Sequence, residues 1–311
     1  MSGPKSTDRT GLAIILSLIA LLLFDIMGLV VKHLSASYSA AELSAYRNLF
    51  GLVPTVIALW WSTSWHQSGR KLKIRQWRLA IFRGIAVAFA QLSFYAALGL
   101  IAFATATTIS YSNALFLTAL AVPLLGEKVG PIRWFAVLIG FVGVVMVIGP
   151  GRDAFTWAAV LAILAAFLYA IAAITARIVD DDVPTPVLNL YTQGIALVTS
   201  FTLVISLGGF TPIPTLADAF WITVMGCCGG VAVLFLIASY RMTEPSNLAP
   251  FTYFGIPMAF GLGWVFFNEA PIQDLFPGAI LIVLGGLLIV FRERQLKRKS
   301  GGSHLPNSTD Q

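Results

Sequence analysis

The sequence predicts an all-α integral membrane protein: ten transmembrane helices as two inverted five-helix repeats, with both termini cytoplasmic. Three observations lead to that class. The 311 residues are 58% hydrophobic and only 11% charged, where soluble domains carry about 25% charged residues. The apolar residues gather into ten runs, each near the roughly 20 residues that a helix needs to span a bilayer. A single ungapped shift of 142 residues relates the first half of the chain to the second.

The runs lie at about 11–34, 41–63, 76–98, 102–125, 132–149, 157–179, 186–207, 218–240, 246–268 and 273–291. Connections are short, and only WHQSGRKLKIRQW, residues 65–77, has real length. No run alternates apolar and polar residues in the ten-residue pattern of an outer-membrane barrel. The segment after MSGPKSTDRT is long and lacks a small-residue cleavage site near its end, so it reads as a retained helix rather than a signal peptide.

Charge sets the orientation. With the N-terminus inside, 16 lysines and arginines fall on the inner side, and Lys32 and Arg152 on the outer. Cytoplasmic loops carry such an excess. The net charge of +6 is therefore a cytoplasmic rim. No basic face interleaved with aromatics suggests nucleic acid as a partner. Cys227 and Cys228 stand side by side in an apolar run, without metal-ligand spacing, and read as small apolar residues. The histidines, His33, His66 and His304, lie at span ends or in a tail, and no catalytic set can be drawn from the spans. The sequence thus argues against an enzyme, and no metal or cofactor is expected.

The repeat carries the functional argument. LLGEKVGPIRWFAVLIGFVGVVMVI, residues 124–148, aligns with FFNEAPIQDLFPGAILIVLGGLLIV, residues 266–290. The same shift pairs Glu127 with Glu269, Gly143 with Gly285, Gly84 with Gly226 and Tyr111 with Tyr253. Five helices per copy is an odd number, so the second copy enters the membrane from the opposite side. Inverted repeats are typical of secondary transporters, with the site near the midplane between the copies. A passive channel is the rival class. The organisation is a 1–10 cytoplasmic tail, a first repeat at 11–149, a 150–156 linker, a second repeat at 157–291 and a basic cytoplasmic tail at 292–311.

A five-helix unit ending in small residues, then LLGEKV, then a glycine-rich last helix resembles the EamA-type repeat of the drug/metabolite transporter superfamily. The resemblance covers both halves, although FFNEAPI replaces leucine-glycine-glutamate in the second. It implies a ten-helix inner-membrane carrier without a bound cofactor. Members move amino acids and their derivatives, nucleosides, vitamins or S-adenosylmethionine. The first helix has FDIMG where the commoner pattern has a tryptophan-glycine pair. With Lys32, Glu42 and Arg47 this is similar to a branch containing S-adenosylmethionine and riboflavin importers.

Polar groups within the spans supply the candidate site. Asp25 lies about 21 Å along the first helix, and Arg47 about 9 Å into the second from the other side. The two are near enough in depth to pair. A structural ion pair and a substrate or proton site both fit, since intramembrane charges are functional hypotheses by default. The shift places Phe167 opposite Asp25 and Asn189 opposite Arg47, so the repeat does not itself demand these charges.

Tyr111 and Tyr253 are expected to face one cavity from equivalent helices, with Gln91, Tyr95, Asn113 and Tyr169 beside them. Ser246, Pro250, Tyr253, Pro257 and Gly261 form one stripe, and Pro257 is expected to free the Tyr253 carbonyl. Arg83 is expected to pair with Glu127, and Glu269 to fix a turn or gate at the opposite face. Lys32 reads as an interfacial anchor, with Glu42 nearby.

A carboxylate and a guanidinium at one depth suit a zwitterion, which makes an amino acid or its derivative the first expectation and a vitamin or nucleoside-like solute the second. The partners are then a small-molecule substrate and the lipid bilayer, with a coupled proton on Asp25 as a further option. Monomer and homodimer both remain open.

Overall fold

The computed structural model describes residues 10–67, 69–70, 72, 74–126, 130–149, 157–179, 183–243, 248, 251–270 and 272–301, and among these the regular structure is entirely helical. Helix α1, Thr10–Leu34, carries the longest apolar run. Helix α2, Ala40–Trp60, starts at a capping box: the Ser39 N–H donates to Glu42 Oε2 at 2.8 Å, and the Glu42 N–H to Ser39 Oγ at 3.3 Å. These bonds satisfy donors that a helix start would otherwise leave open. Glu42 also accepts from the Thr211 N–H, so it ties α2 to a distant loop instead of accompanying Lys32. A short helix α3, Thr63–Gln67, precedes α4, Trp77–Leu100.

The span expected at 102–125 is broken. Helix α5, Phe103–Ser110, ends in a turn at Tyr111 and Ser112, and α6 follows as Asn113–Leu125. Then come α7, Pro131–Ile148, with proline at its first position, α8, Trp157–Ile178, α9, Thr185–Ser206, and α10, Leu216–Met242. Residues 251–252 are helical, Tyr253 and Phe254 turn, and α11 runs Gly255–Phe267. A one-turn α12, Ile272–Leu275, leads to α13, Gly278–Gly301.

The 142-residue shift is visible in these details. It carries Tyr111 at the first break onto Tyr253 at the second, and the start of α6 at Asn113 onto the start of α11 at Gly255. It carries the end at Leu125 onto Phe267, and the left-handed cap Gly126 (φ 67°) onto Asn268 (φ 55°). Glycine takes that conformation without a Cβ clash, and asparagine is the usual substitute.

Packing follows the same correspondence. α1 packs on α10, as its counterpart α8 packs on α4; α2 meets α9, and α7 meets α13. At the last seam a Cβ on Gly143 would sit 2.6 Å from the Gly278 carbonyl, and one on its counterpart Gly285 would sit 2.7 Å from that of Ala136. Glycine at both places lets the two backbones touch.

Among the described residues, seven helices are long and apolar enough to cross a membrane, with α5 and α6 counted together. The remaining expected spans correspond to α2, whose first half holds Glu42, Arg47 and Asn48, and to the shorter apolar α11 and Gly278–Arg292. Long-range polar contacts join positions that the alternation of spans puts at one end. Lys32 meets Ile101 and Glu269, Glu42 meets Thr211, and Arg83 meets Thr192.

Candidate transport cavity

A cavity of about 470 Å³ lies between helices of both halves. α1 contributes Phe24 and Asp25, α2 Arg47, α4 Arg83, Gln91 and Tyr95, the α5–α6 break Tyr111 and Asn113, α8 Tyr169, and α9 Asn189, Thr192 and Gln193. Its size falls within the range of about 300–1,000 Å³ usual for small-molecule sites.

Asp25 and Arg47 are each 6% exposed. They line this cavity together, yet no ion pair joins them, so the direct pair that would pin the first hairpin is not formed. Asp25 Oδ2 and Arg47 Nε are buried without a hydrogen-bond partner among the described residues. Arg47 lies flat against α10, where a Cβ on Gly229 would come within 3.0 Å of Nε. Its Nη1 donates to Asn48 Oδ1 at 3.1 Å. Buried ionic groups are ordinarily paired, and among the described residues this carboxylate and guanidinium line one cavity without an ion pair.

Gln91 lines the cavity but is held from behind. Ser44 Oγ and Asn48 Nδ2 donate to Gln91 Oε1 at 2.9 and 2.7 Å, and Gln91 Nε2 donates to Asn48 Oδ1 at 3.3 Å. Ser200 Oγ lies 2.8 Å from Ser44 Oγ, which extends the network to α9. Tyr95 is 1% exposed, with its hydroxyl 4.0 Å from Met27 Sδ.

Three expectations need correction. Tyr253 does not line the central cavity. It stands behind Tyr111, ring centroids 6.0 Å apart, and with Pro257 it borders a separate apolar groove of about 660 Å³ between α11, α12 and α13. Its hydroxyl is inserted against Gly286 of α13, on the side away from the central cavity, whereas that of Tyr111 is inserted against Gly255 of α11. The Tyr253 carbonyl is not freed by Pro257, because it accepts from the Ile256 N–H at 3.1 Å in the tight turn that starts α11. Ser246 and Pro250 of the proposed stripe lie outside the described residues.

Arg83 faces the cavity; its Nε donates to Thr192 Oγ1 at 3.1 Å, and its Nη1 is buried without a partner among the described residues. Its expected partner Glu127 lies outside the described residues. Lys32 is not a simple interfacial anchor. Its Nζ pairs with Glu269 Oε1 at 2.8 Å and donates to the Ile101 carbonyl at 2.7 Å, while Glu269 Oε2 accepts from the Phe103 N–H at 2.9 Å. Glu269 thus caps α5 and ties it to α1.

Sequence reading missed Asn189, Thr192 and Gln193. Their spacing of three and four residues puts them on one face of α9, and that polar stripe in an apolar run was the available signal. It also missed Phe24, Phe94 and Phe103, which line the cavity and which nothing in an apolar helix distinguishes.

The model of the EamA-like transporter family matches residues 11–149 and again 156–291. The chain belongs to that family. It is an EamA-like multi-pass membrane protein of the drug/metabolite transporter superfamily, with the match repeated once in each half. A relative from Rickettsia bellii, named S-adenosylmethionine uptake transporter, is 26% identical over 92% of this chain and 94% of its own. A riboflavin transporter of Rhizobium johnstonii is 32% identical over 56% of this chain and 57% of its own. The pseudopaline exporter CntI of Pseudomonas aeruginosa is 23% identical over 87% and 93%. A solved crystal structure shares the EamA-like fold with a TM-score of 0.62, at 20% identity, over 92% of this chain and 98% of the other.

Proposed function

We propose that this chain is a secondary transporter of the cytoplasmic membrane, with ten spans in two inverted repeats, that moves a small organic metabolite through the central cavity by alternating access. The observation that carries this reading is the unpaired Asp25 and Arg47 on one aromatic-lined cavity between helices of both halves. Asp25 suits an ammonium or sulfonium and Arg47 a carboxylate. Tyr95, Tyr111 and Tyr169 suit an amphipathic ring or a cation over a π face.

The relatives shift the weight between substrate classes. Proteins named for S-adenosylmethionine and riboflavin favour a nucleoside-like or vitamin solute over a plain amino acid. A proton carried on Asp25 is the accompanying reading for coupling.

The conformation also suits a carrier. On the orientation that the basic rim sets, the Lys32–Glu269 pair closes the outer end. At the inner end Asn189 borders both the central cavity and a second one of about 400 Å³ beside Trp61 and Met242.

Counterflow in liposomes is the test. Proteoliposomes preloaded with unlabelled S-adenosylmethionine or riboflavin are expected to take up the labelled solute faster than empty ones, and saturably. Linear, unaccelerated flux would replace the carrier with a channel.

A further inference from the structure

We propose that Arg83 and Thr192 form a second subsite of the cavity, which takes a carboxylate or phosphate at the end of the substrate remote from its zwitterionic head. The proposal rests on the transport reading above and adds a substrate class to it: an elongated metabolite with a cation and an anion at one end and a second oxyanion at the other.

Position comes first. Asn48 is hydrogen-bonded to Gln91, so Arg47 on α2 is level with Gln91 on α4. Arg83 is eight residues before Gln91 on the same helix, which puts its backbone about 12 Å nearer the inner end. Asp25 stays at the upper level, because Met27, one half-turn further along α1, touches both the Tyr95 hydroxyl and the Gly229 face on which Arg47 lies. Both levels open on the same cavity.

Local bonding then fixes what Arg83 can do. The Thr192 hydroxyl donates to the Leu188 carbonyl at 2.8 Å, which leaves its oxygen to accept from Arg83 Nε at 3.1 Å. The guanidinium is therefore oriented at one edge while Nη1 has no partner. Among the described residues no carboxylate pairs with Arg83. Asp25, Arg47 and Arg83 together leave one positive charge over. A guanidinium fork matches carboxylate and phosphate oxygens geometrically.

The repeat argues against a purely structural Arg83. Its counterpart is Met225, fully buried in the apolar core, and the counterpart of Thr192 is Phe50. The two-fold architecture is built at that place without a charge. Arg83 shares this asymmetry with Asp25 and Arg47, whose counterparts are Phe167 and Asn189.

Matched ligand pairs test the subsite in the purified full-length protein. Riboflavin is compared with riboflavin 5′-phosphate, and Nε-acetyl-lysine with Nε-succinyl-lysine, by thermal shift and equilibrium dissociation constant. The first pair adds a phosphate and the second a carboxylate, so the pairs also separate the two oxyanion sources. In at least one pair the anionic member is expected to bind about tenfold tighter or more. In Arg83→Gln that within-pair ratio falls to about one, and in Arg83→Lys part of it returns.

A ratio near one in the parent protein overturns the subsite and leaves the transport reading standing. So does a ratio that Arg83→Gln leaves unchanged. If no member of either pair binds the parent protein, the subsite falls together with the reading beneath it. Should Arg83→Gln fail to elute as a folded species, the Arg83→Lys ratio decides: retention of the full preference with lysine supports a charge interaction, and its complete loss with both members equally weakened overturns the subsite.

Discussion

Lys32 Nζ lies 2.8 Å from Glu269 Oε1, and this ion pair joins the first helix of one half to the loop after α11 in the other. The same two side chains hold Ile101 and Phe103, where α4 passes into α5. Four segments are therefore fastened at one end of the cavity by two partly buried charges. Removing the Glu269 charge is expected to loosen that end. In a background lacking Cys227 and Cys228, with Phe103→Cys as reporter, Glu269→Gln should speed labelling by a membrane-impermeant maleimide added outside. An increase of about fivefold corresponds to about 1 kcal/mol, a reasonable scale for a partly exposed pair. Equal labelling in both backgrounds would mean that the pair is not a closing element.

Asp25 and Arg47 face one cavity unpaired, so each is expected to be needed by the ligand and not by the other. Asp25→Asn should lower affinity for S-adenosylmethionine, which carries cationic groups, more than for riboflavin, which carries none. Arg47→Gln should weaken carboxylate-bearing ligands by about tenfold or more, the scale of a lost charge-assisted hydrogen bond. Dissociation constants for the two ligands in both variants check this. Unchanged constants in both would remove the charges from the site.

How much of this was legible in the chain depended on contrast. Asp25 stood out because a carboxylate among leucines is costly. Left-handed caps at Gly126 and Asn268, residues that tolerate that conformation, end α6 and α11 in the structure, but the apolar runs alone did not single them out. The breaks at Tyr111 and Tyr253 were hidden, since each lies inside a run long and apolar enough overall to read as one span. The polar cluster at 107–113 was their only trace. Symmetry misled at Tyr253: both phenols fill a notch at a glycine, Tyr111 at Gly255 and Tyr253 at Gly286, yet Tyr111 borders the central cavity and Tyr253 the separate apolar groove. The Lys32–Glu269 pair was out of reach, because a lysine near a helix end ordinarily snorkels and its partner lies in the other half of the chain.

The Gly286 notch is itself testable. A Cβ there would collide with the Tyr253 hydroxyl. Gly286→Ala is expected to destabilise by about 1–3 kcal/mol, the usual scale of overpacking, with a visible fall in the thermal midpoint in detergent. Adding Tyr253→Phe removes the oxygen but leaves the ring carbon Cζ in collision with that Cβ, so most of the loss should persist. Because Tyr253 stands behind Tyr111, Tyr253→Phe alone should leave ligand affinity within about twofold, on the ordinary scale of near-neutral substitutions. A larger loss would return Tyr253 to the cavity wall.

Gln91 separates holding from binding. Its Oε1 accepts from Ser44 and Asn48, and its Nε2 donates to Asn48 Oδ1, the atom that also accepts from Arg47 Nη1. The amide of Gln91 therefore sets which way Asn48 points, and Asn48 holds one edge of Arg47. Leucine at position 91 would remove one buried acceptor from the Ser44 hydroxyl, which keeps Ser200 Oγ at 2.8 Å, and one from the Asn48 amide, which keeps the Ser44 carbonyl at 2.9 Å. It would also leave Asn48 Oδ1 without the Gln91 donor, at a total cost of about 1 kcal/mol. Gln91→Leu is thus expected to lower the thermal midpoint and to weaken carboxylate-bearing ligands indirectly, through a less ordered Arg47. Arg47→Gln should weaken the same ligands with a smaller thermal penalty, since Arg47 gives up one hydrogen bond and an unpaired charge. Thermal midpoints and dissociation constants measured on both variants read the two effects separately. If Gln91→Leu weakens the ligand while its midpoint stays at the parent value, Gln91 contacts the ligand directly and the network is not what positions Arg47.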